Sequence, residues 1–289
     1  MKTTREIIKK AFSEFRPAIA YSGGGDSTVL LDIVASMGYK PPLIFVDTQM
    51  EYADCLPFVR TVAKRYGLQL HIGMATITPQ ECWQRYGYPM LGKQSARLWM
   101  QKHKSAGFKI DCSTCCKKMK LDPGRRVLKQ INCNATMTGV RGSADSMIRG
   151  LRAKKDGAIH YVKADNIVQV NPLEGWTDMM IRRYTEQHAI PVDPKKTAGL
   201  ITAGCMFCGG GAQFDNSALR ALRFAAPEEW RRLIVDYRVG EIILAIKYDE
   251  PLQVVQDAIG QIGGLQEVAR KYPHVFDFLR KRPLVGYSR

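Results

Sequence analysis

What the 289 residues lack narrows the field first. No apolar run approaches the ~20 residues that a membrane-spanning helix needs, so no membrane role is expected. The N-terminal "MKTTREIIKKAFSEF" is amphipathic and charged and has no apolar leader core, which predicts a cytoplasmic protein. Internal repeats and low-complexity linkers are missing too, which disfavours solenoids and tethered arrays. Acidic residues are scarce: 27 Asp and Glu face 43 Lys and Arg, a net charge of +16. An excess of that size suits a polyanionic partner, nucleic acid or nucleotide. Two further absences are local. No lysine follows the glycines at 23–25, and no cysteine occurs after Cys208.

Apolar residues make up 45% of the chain, ample for a packed core. "AIAY", "PLIFVDT" and "LQLHIG" read as strands, separated by the helical patterns "TVLLDIVASM" and "ADCLPFVRTVAKRYG". Strand–helix alternation at this spacing predicts a parallel sheet with crossover helices, an α/β Rossmann-like fold with helices on both faces. "NATMTGV" and "NIVQVNPLEGW" add strands, "IHYVKA" a hairpin arm, and "TDMMIRRYTEQHA" a helix behind a capping Thr. From about residue 212 the signal is helical. We therefore expect a nucleotide domain over 1–210 and a helical region over 211–289, with 74–111 as an insertion.

The loop "SGGGDS" (22–27) opens the first helix. Without a lysine it is no Walker A loop, and Thr28 stands where the Rossmann fingerprint has its third glycine. Glycines let backbone amides wrap a polyphosphate, and the helix N-terminus adds positive potential. Ser22 and Ser27 can donate hydroxyls. Asp47 ends the second strand, where a ribose-binding acid would lie.

Five of the eight cysteines fall in two groups: Cys112, Cys115 and Cys116, then Cys205 and Cys208. In a cytoplasmic chain this grouping suggests metal or redox work. Cys112-x2-Cys115 could form a zinc knuckle, and the paired groups could equally hold an iron–sulfur cluster. Cys55, Cys82 and Cys133 lie in apolar or mixed segments and read as core.

The string Ser22-Gly23-Gly24-Gly25-Asp26-Ser27 is similar to the PP-loop of the ATP pyrophosphatases, which belong to the adenine nucleotide alpha hydrolase-like group. "CCKKMKLDPGRRVL", "TMTGVRGSADSMIRG", "VNPLEGWTD" and "GLITAGCMFC" resemble, in order and spacing, the sulfonucleotide (phosphoadenylylsulfate) reductase family. The resemblance implies ATP with Mg²⁺, the ion held by Asp26, and a nucleotide site of Ser22, Gly23, Gly24, Gly25, Asp26, Ser27, Asp47 and Gly139. It implies catalytic Arg141 and Arg149 beside Asp26, clamping phosphate charge. It also implies a [4Fe–4S] cluster on Cys115, Cys116, Cys205 and Cys208. The reductases of this family attack with a cysteine near the C-terminus, in a motif like E-C-G-[IL]-H, which this sequence lacks. An intact loop without that cysteine resembles the DNA phosphorothioation enzymes of Dnd and Ssp type. The expectation is therefore an ATP-dependent sulfurtransferase, DNA preferred over tRNA, served by a cysteine desulfurase and other modification-system proteins. The alternatives are a sulfonucleotide reductase of sulfate assimilation whose thiol comes from a partner, and a tRNA thiolation enzyme.

Overall fold

The structure is a computed structural model that describes residues 3–142, 155–163, 165–193, 205–208 and 217–277. Among these, the chain divides into two compact units. The first holds the described residues up to 75 and from 120 to 193; the second holds 76–119, 205–208 and 217–277. Residues 76–119, expected within the nucleotide domain, thus group with the C-terminal helices. No helix among the described residues is long and apolar enough to cross a membrane.

The first unit is the expected α/β layer structure. Helix α1 (Thr4–Glu14) starts at a capping box, in which Thr3 accepts from the Glu6 amide and the Glu6 carboxylate accepts from the Thr3 amide. Strand β1 (Pro17–Ala20) runs into α2 (Gly25–Ser36), then β2 (Leu43–Asp47), α3 (Cys55–Arg65) and β3 (Leu70–Met74). Strand β4 (Ala135–Met137) is followed by the hairpin of β5 (Ile159–Val162) and β6 (Ile167–Val170). The six strands lie in the order β3-β2-β1-β4-β6-β5, all parallel except the edge strand β5. Ile19 stands opposite Leu43 on one side and Met137 on the other.

That order places β1 centrally. The chain builds outward to β2 and β3, then returns to lay β4 on the other side of β1. In such sheets the reversal leaves a crevice beyond the carboxyl ends of the two central strands. Helix α2 is apolar nearly all round because it is buried, with Val29, Leu30, Leu31 and Val34 fully inside the core.

Two polar anchors are set into this unit. Asp32 on α2 accepts from Tyr66 Oη at 2.9 Å and from Tyr184 Oη at 2.8 Å, joining α2 to the end of α3 and to α8 (Asp178–Gln187). Glu51, just beyond β2, accepts from Thr48 Oγ1 at 2.9 Å. Burial pushes its carboxyl up from the ordinary range, against the opposing pull of the Thr48 bond and of Lys120. At the far edge, Arg126 on α7 (Asp122–Gln130) donates to the carbonyl of Met74, the last residue of β3, at 2.7 Å.

The second unit is helical: α4 (Pro79–Tyr86), α5 (Lys93–Lys102), α6 (Cys112–Cys116), α9 (Ser217–Ala225), α10 (Pro227–Arg231), α11 (Val239–Tyr248), α12 (Leu252–Ile262) and α13 (Leu265–Lys271). Trp83 packs against Tyr88 and Tyr237, and Tyr88 and Trp99 pack against Phe108. The Trp83–Tyr237 contact, with the Leu252 amide donating to the Ala106 carbonyl and Asp249 bonded to His103, ties the insertion to the C-terminal helices. Wider π-type turns (Lys117–Leu121) link α6 to α7.

Replacing Asp32 by Ala removes both tyrosine bonds and should lower unfolding free energy by about 2 kcal/mol, measured by urea titration. Glu51→Gln tests the buried acid. A carboxyl raised in the folded state stabilises below its unfolded pKa and loses that contribution as pH rises through the folded one. The variant should therefore gain stability relative to the parent as pH rises from the ordinary carboxylate range toward neutrality, a trend read from melting temperatures across that window.

Candidate active site

The loop after β1 and the loop after β4 meet at the carboxyl ends of these adjacent strands. Gly23 has φ +74°, and a Cβ there would lie 3.2 Å from Val59 Cγ2, so both backbone and space call for glycine. Ser22 Oγ lies 3.3 Å from Ser27 Oγ, and Ser27 Oγ donates to the Gly24 carbonyl at 2.8 Å. Thr28 Oγ1 donates to the same carbonyl at 2.9 Å. Helix α2 begins at Gly25 behind Gly24, with no side chain capping its first amides. An uncapped N-terminus above a glycine turn is suited to an anion.

Gly139 closes the other side. A Cβ added to it would fall 2.8 Å from the Asp26 carbonyl carbon and 2.9 Å from the Ser27 amide nitrogen. The backbone after β4 therefore lies directly on the first turn of α2. Two residues on, Arg141 is buried, its side chain 7% exposed. Its Nε donates to Asp26 Oδ2 at 3.0 Å. Its Nη1 lies 2.8 Å from Asp178 Oδ1, within ion-pair reach but off the line of a hydrogen bond. Burial opposes the charge, but Asp178 and Asp26 outweigh it and push the Arg141 pKa up. Asp26, expected to hold Mg²⁺, holds Arg141 in this arrangement.

Asp47 ends β2 on the same edge of the sheet, and its Oδ1 accepts from the Gln49 amide at 2.7 Å, fixing a turn in which Gln49 has φ 61°. Ser22, Gly23, Gly24, Gly25, Asp26, Ser27, Gly139 and Arg141 are thus brought together, with Asp47 on the same edge. Arg149 lies outside the described residues. Asp178 and Glu51 were not singled out from the sequence. Asp178 sits in the "WTD" of a helix start, where an acid is explained by the helix dipole alone.

The grouped cysteines, and Cys82, belong to the second unit. Asp111 caps α6, accepting from the Ser113 and Thr114 amides at 2.8 and 3.1 Å. Burial works to raise its pKa, yet these bonds, with those from the two hydroxyls, hold it below the usual range. On α6, the half-buried Cys115 accepts from Trp83 Nε1 at 3.4 Å, and Cys82 is fully buried on α4, which packs on α6. Cys205 is near enough for its charge to act on Cys115. The neighbouring Cys82 thiol and burial push the Cys115 thiol up, while Cys115 and Lys118 draw Cys82 down. The pair loses its first proton more readily than its second.

A cluster on Cys115, Cys116, Cys205 and Cys208 needs four sulfurs facing one centre. Cys115 and Cys205 are half-buried, and Cys116 and Cys208 are exposed. Among the described residues no three His, Cys, Asp or Glu side chains come together as a metal-binding group. No step is derived through a cluster, and Cys82, read as core from the sequence, is fully buried.

Residues 16–210 match the family model described as the phosphoadenosine phosphosulfate reductase domain. Among curated relatives, the adenosine 5'-phosphosulfate reductase of Halalkalibacterium halodurans is 26% identical over 213 residues, covering 72% of this chain and 80% of that one. The phosphoadenosine 5'-phosphosulfate reductase of Photobacterium profundum is 27% identical over 194 residues, covering 66% of each. Among solved structures, the phosphoadenylyl-sulfate reductase of Candida auris, in a phosphate complex, superposes with a TM-score of 0.51 at 22% identity. It covers 71% of this chain and 88% of that one, and it shows the shared fold. These relatives overturn the expectation of a DNA-phosphorothioating sulfurtransferase, because they are named as reductases of adenylyl sulfates. Modification of DNA or tRNA is not carried further. With more than half of its length matched, the chain belongs to the phosphoadenosine phosphosulfate reductase domain family.

Proposed function

We propose that this protein binds an adenosine phosphosulfate at the carboxyl ends of β1 and β4 and reduces its sulfonyl sulfur with thiols. The observation that carries this reading is the closed approach of Gly139 to the first turn of α2, beside the buried Arg141. It leaves a glycine-walled anion seat formed by uncapped amides and the Ser22 hydroxyl. The curated names of its relatives support a sulfonucleotide as the anion.

In this reaction a thiolate attacks the sulfur and the S–O bond to the phosphate breaks. The nucleotide leaves with the bonding pair, and the sulfonyl group stays on the thiol. The leaving phosphate gains negative charge, and the α2 amides are aimed where that charge grows. A second thiolate then attacks the sulfonated thiol's own sulfur. A disulfide forms, sulfite departs, and two electrons have passed from the thiols to the sulfonyl sulfur. In this reading the attacking thiol comes from a partner molecule.

The test is sulfite release from adenosine 5'-phosphosulfate and from its 3'-phosphorylated form, with a dithiol reductant or a reduced thiol protein. ATP is run in parallel for pyrophosphate release. Sulfite from either sulfonucleotide is expected. Pyrophosphate from ATP with no sulfite from either compound would overturn the reading. Gly139→Ala forces a methyl onto the Asp26 backbone, displacing the first turn of α2. We expect nucleotide affinity to fall at least tenfold, about 1.4 kcal/mol, by isothermal titration, with the fold retained by circular dichroism.

A further inference from the structure

The loop that carries Gly139 and Arg141 is held from behind by one buried side-chain amide. We propose that Asn171 is a positioning residue of the nucleotide seat. It acts through the hydroxyl of Thr138 to hold the peptides around Gly139 against the first turn of α2. This role rests on the seat proposed above, and on none of the chemistry assigned to it.

Thr138 follows the last residue of β4, and Asn171 the last residue of β6. The register pairs Met137 with Val170, so the two residues lie level, just beyond the carboxyl ends of neighbouring strands. The Thr138 amide donates to the Val170 carbonyl at 2.9 Å, which carries the ladder one step past β4. There the side chains take over. Thr138 Oγ1 donates to Asn171 Oδ1 at 2.6 Å, and the same hydroxyl accepts from the Val140 amide at 3.4 Å. Thr138 and Val140 flank Gly139, so one hydroxyl fixes the chain on both sides of the residue that lies on Asp26 and Ser27. Beyond Arg141, the Gly142 amide donates to the Glu174 carbonyl at 2.7 Å. The turn after β6 thus holds both ends of the segment 138–142.

Asn171 is itself tied down by its own backbone. Its amide donates to the Ala158 carbonyl at 2.7 Å, and its carbonyl accepts from the Glu174 amide at 3.2 Å. Gln169 Nε2 gives Oδ1 a second bond at 3.2 Å. The residue is fully buried, yet its Nδ2 donor has no partner among the described residues. A buried donor left unpaired costs about 1–3 kcal/mol, so packing alone does not account for an asparagine here. What it supplies is an uncharged acceptor for two donors. An aspartate would offer the acceptor together with a buried negative charge behind a seat built for an anion. A leucine would leave the Thr138 hydroxyl free to turn away from Val140. The contact it governs has no slack, since even a methyl on Gly139 would meet the Asp26 backbone at 2.8 Å.

Affinities for adenosine 5'-phosphosulfate, its 3'-phosphorylated form, AMP and ATP are measured by isothermal titration on the full chain, well below each variant's melting temperature. Thr138→Val keeps the shape and removes the hydroxyl; Asn171→Leu removes the acceptor. Each should weaken whichever nucleotide the parent binds by about tenfold, because the seat is displaced. Thr138→Ser should bring affinity back near the parent's, and Thr138→Val with Asn171→Leu should lose little more than either alone. Lower melting temperatures with unchanged affinity, or losses that simply add, would overturn the proposal. In the unaltered chain, bound nucleotide should slow amide hydrogen exchange across 138–142 and 171–174 together. Slowing confined to the first segment would overturn it as well, and this measurement decides where a variant fails to fold. Sulfonucleotide binding that the variants leave untouched would remove this role and spare the sulfonucleotide reading. Binding of AMP or ATP alone, weakened by the variants, would do the reverse. No binding of any of the four would overturn both.

Discussion

The structure depends on one close approach: the backbone of Gly139 lying on the carbonyl of Asp26 and the amide of Ser27. It needs β4 beside β1, which the sheet order supplies, and it needs a residue with no side chain at that point. Once the approach is made, Arg141 is carried into the core next to Asp26, and the start of α8 is drawn in through Asp178. The anion seat is therefore not a loop attached to a finished sheet. It is the place where the sheet reverses direction, and the residues that shape it also hold the reversal together.

Charge in this region is balanced internally. Among the described residues the buried guanidinium lies between two carboxylates, and what they offer a ligand is oriented amides and a hydroxyl. Such groups discriminate by position, since each amide points along a fixed line set by the helix. This is consistent with a loop of glycines and serines that carries no lysine.

Much of the fold was legible in the chain. The first three strands and their crossovers were readable because each apolar run ends in a glycine, an acid or a capping residue. The loop residues were readable because their chemistry is local: glycines, two serines and an acid within six positions. The helical run from α6 to α7 was not, since "LDPG" looks like a break; Pro123 falls in the first turn of α7, where a missing amide does no harm. Helix α11 falls inside the region expected to be helical, although its buried face extends almost all round and weakens the helical period. The cysteine spacing groups Cys115 with Cys116 along the chain, while Cys82, read as core, lies on a helix that packs against theirs, a neighbourhood its own segment does not announce. Contacts such as Asp32 with its two tyrosines are equally silent, because each partner is unremarkable in its own segment.

The bond from Arg126 to the carbonyl of Met74 bears on how the molecule behaves in a crowded solution. Strand β3 lies at the rim of the sheet, with Ile72 and Met74 exposed along it. A bare rim of this kind is a template on which another chain can add a strand. Arg126 occupies the terminal carbonyl and sets a cation beside the apolar side chains there. An incoming strand would have to displace that arginine before it could pair at this end, so one side chain guards the sheet against growing into an aggregate.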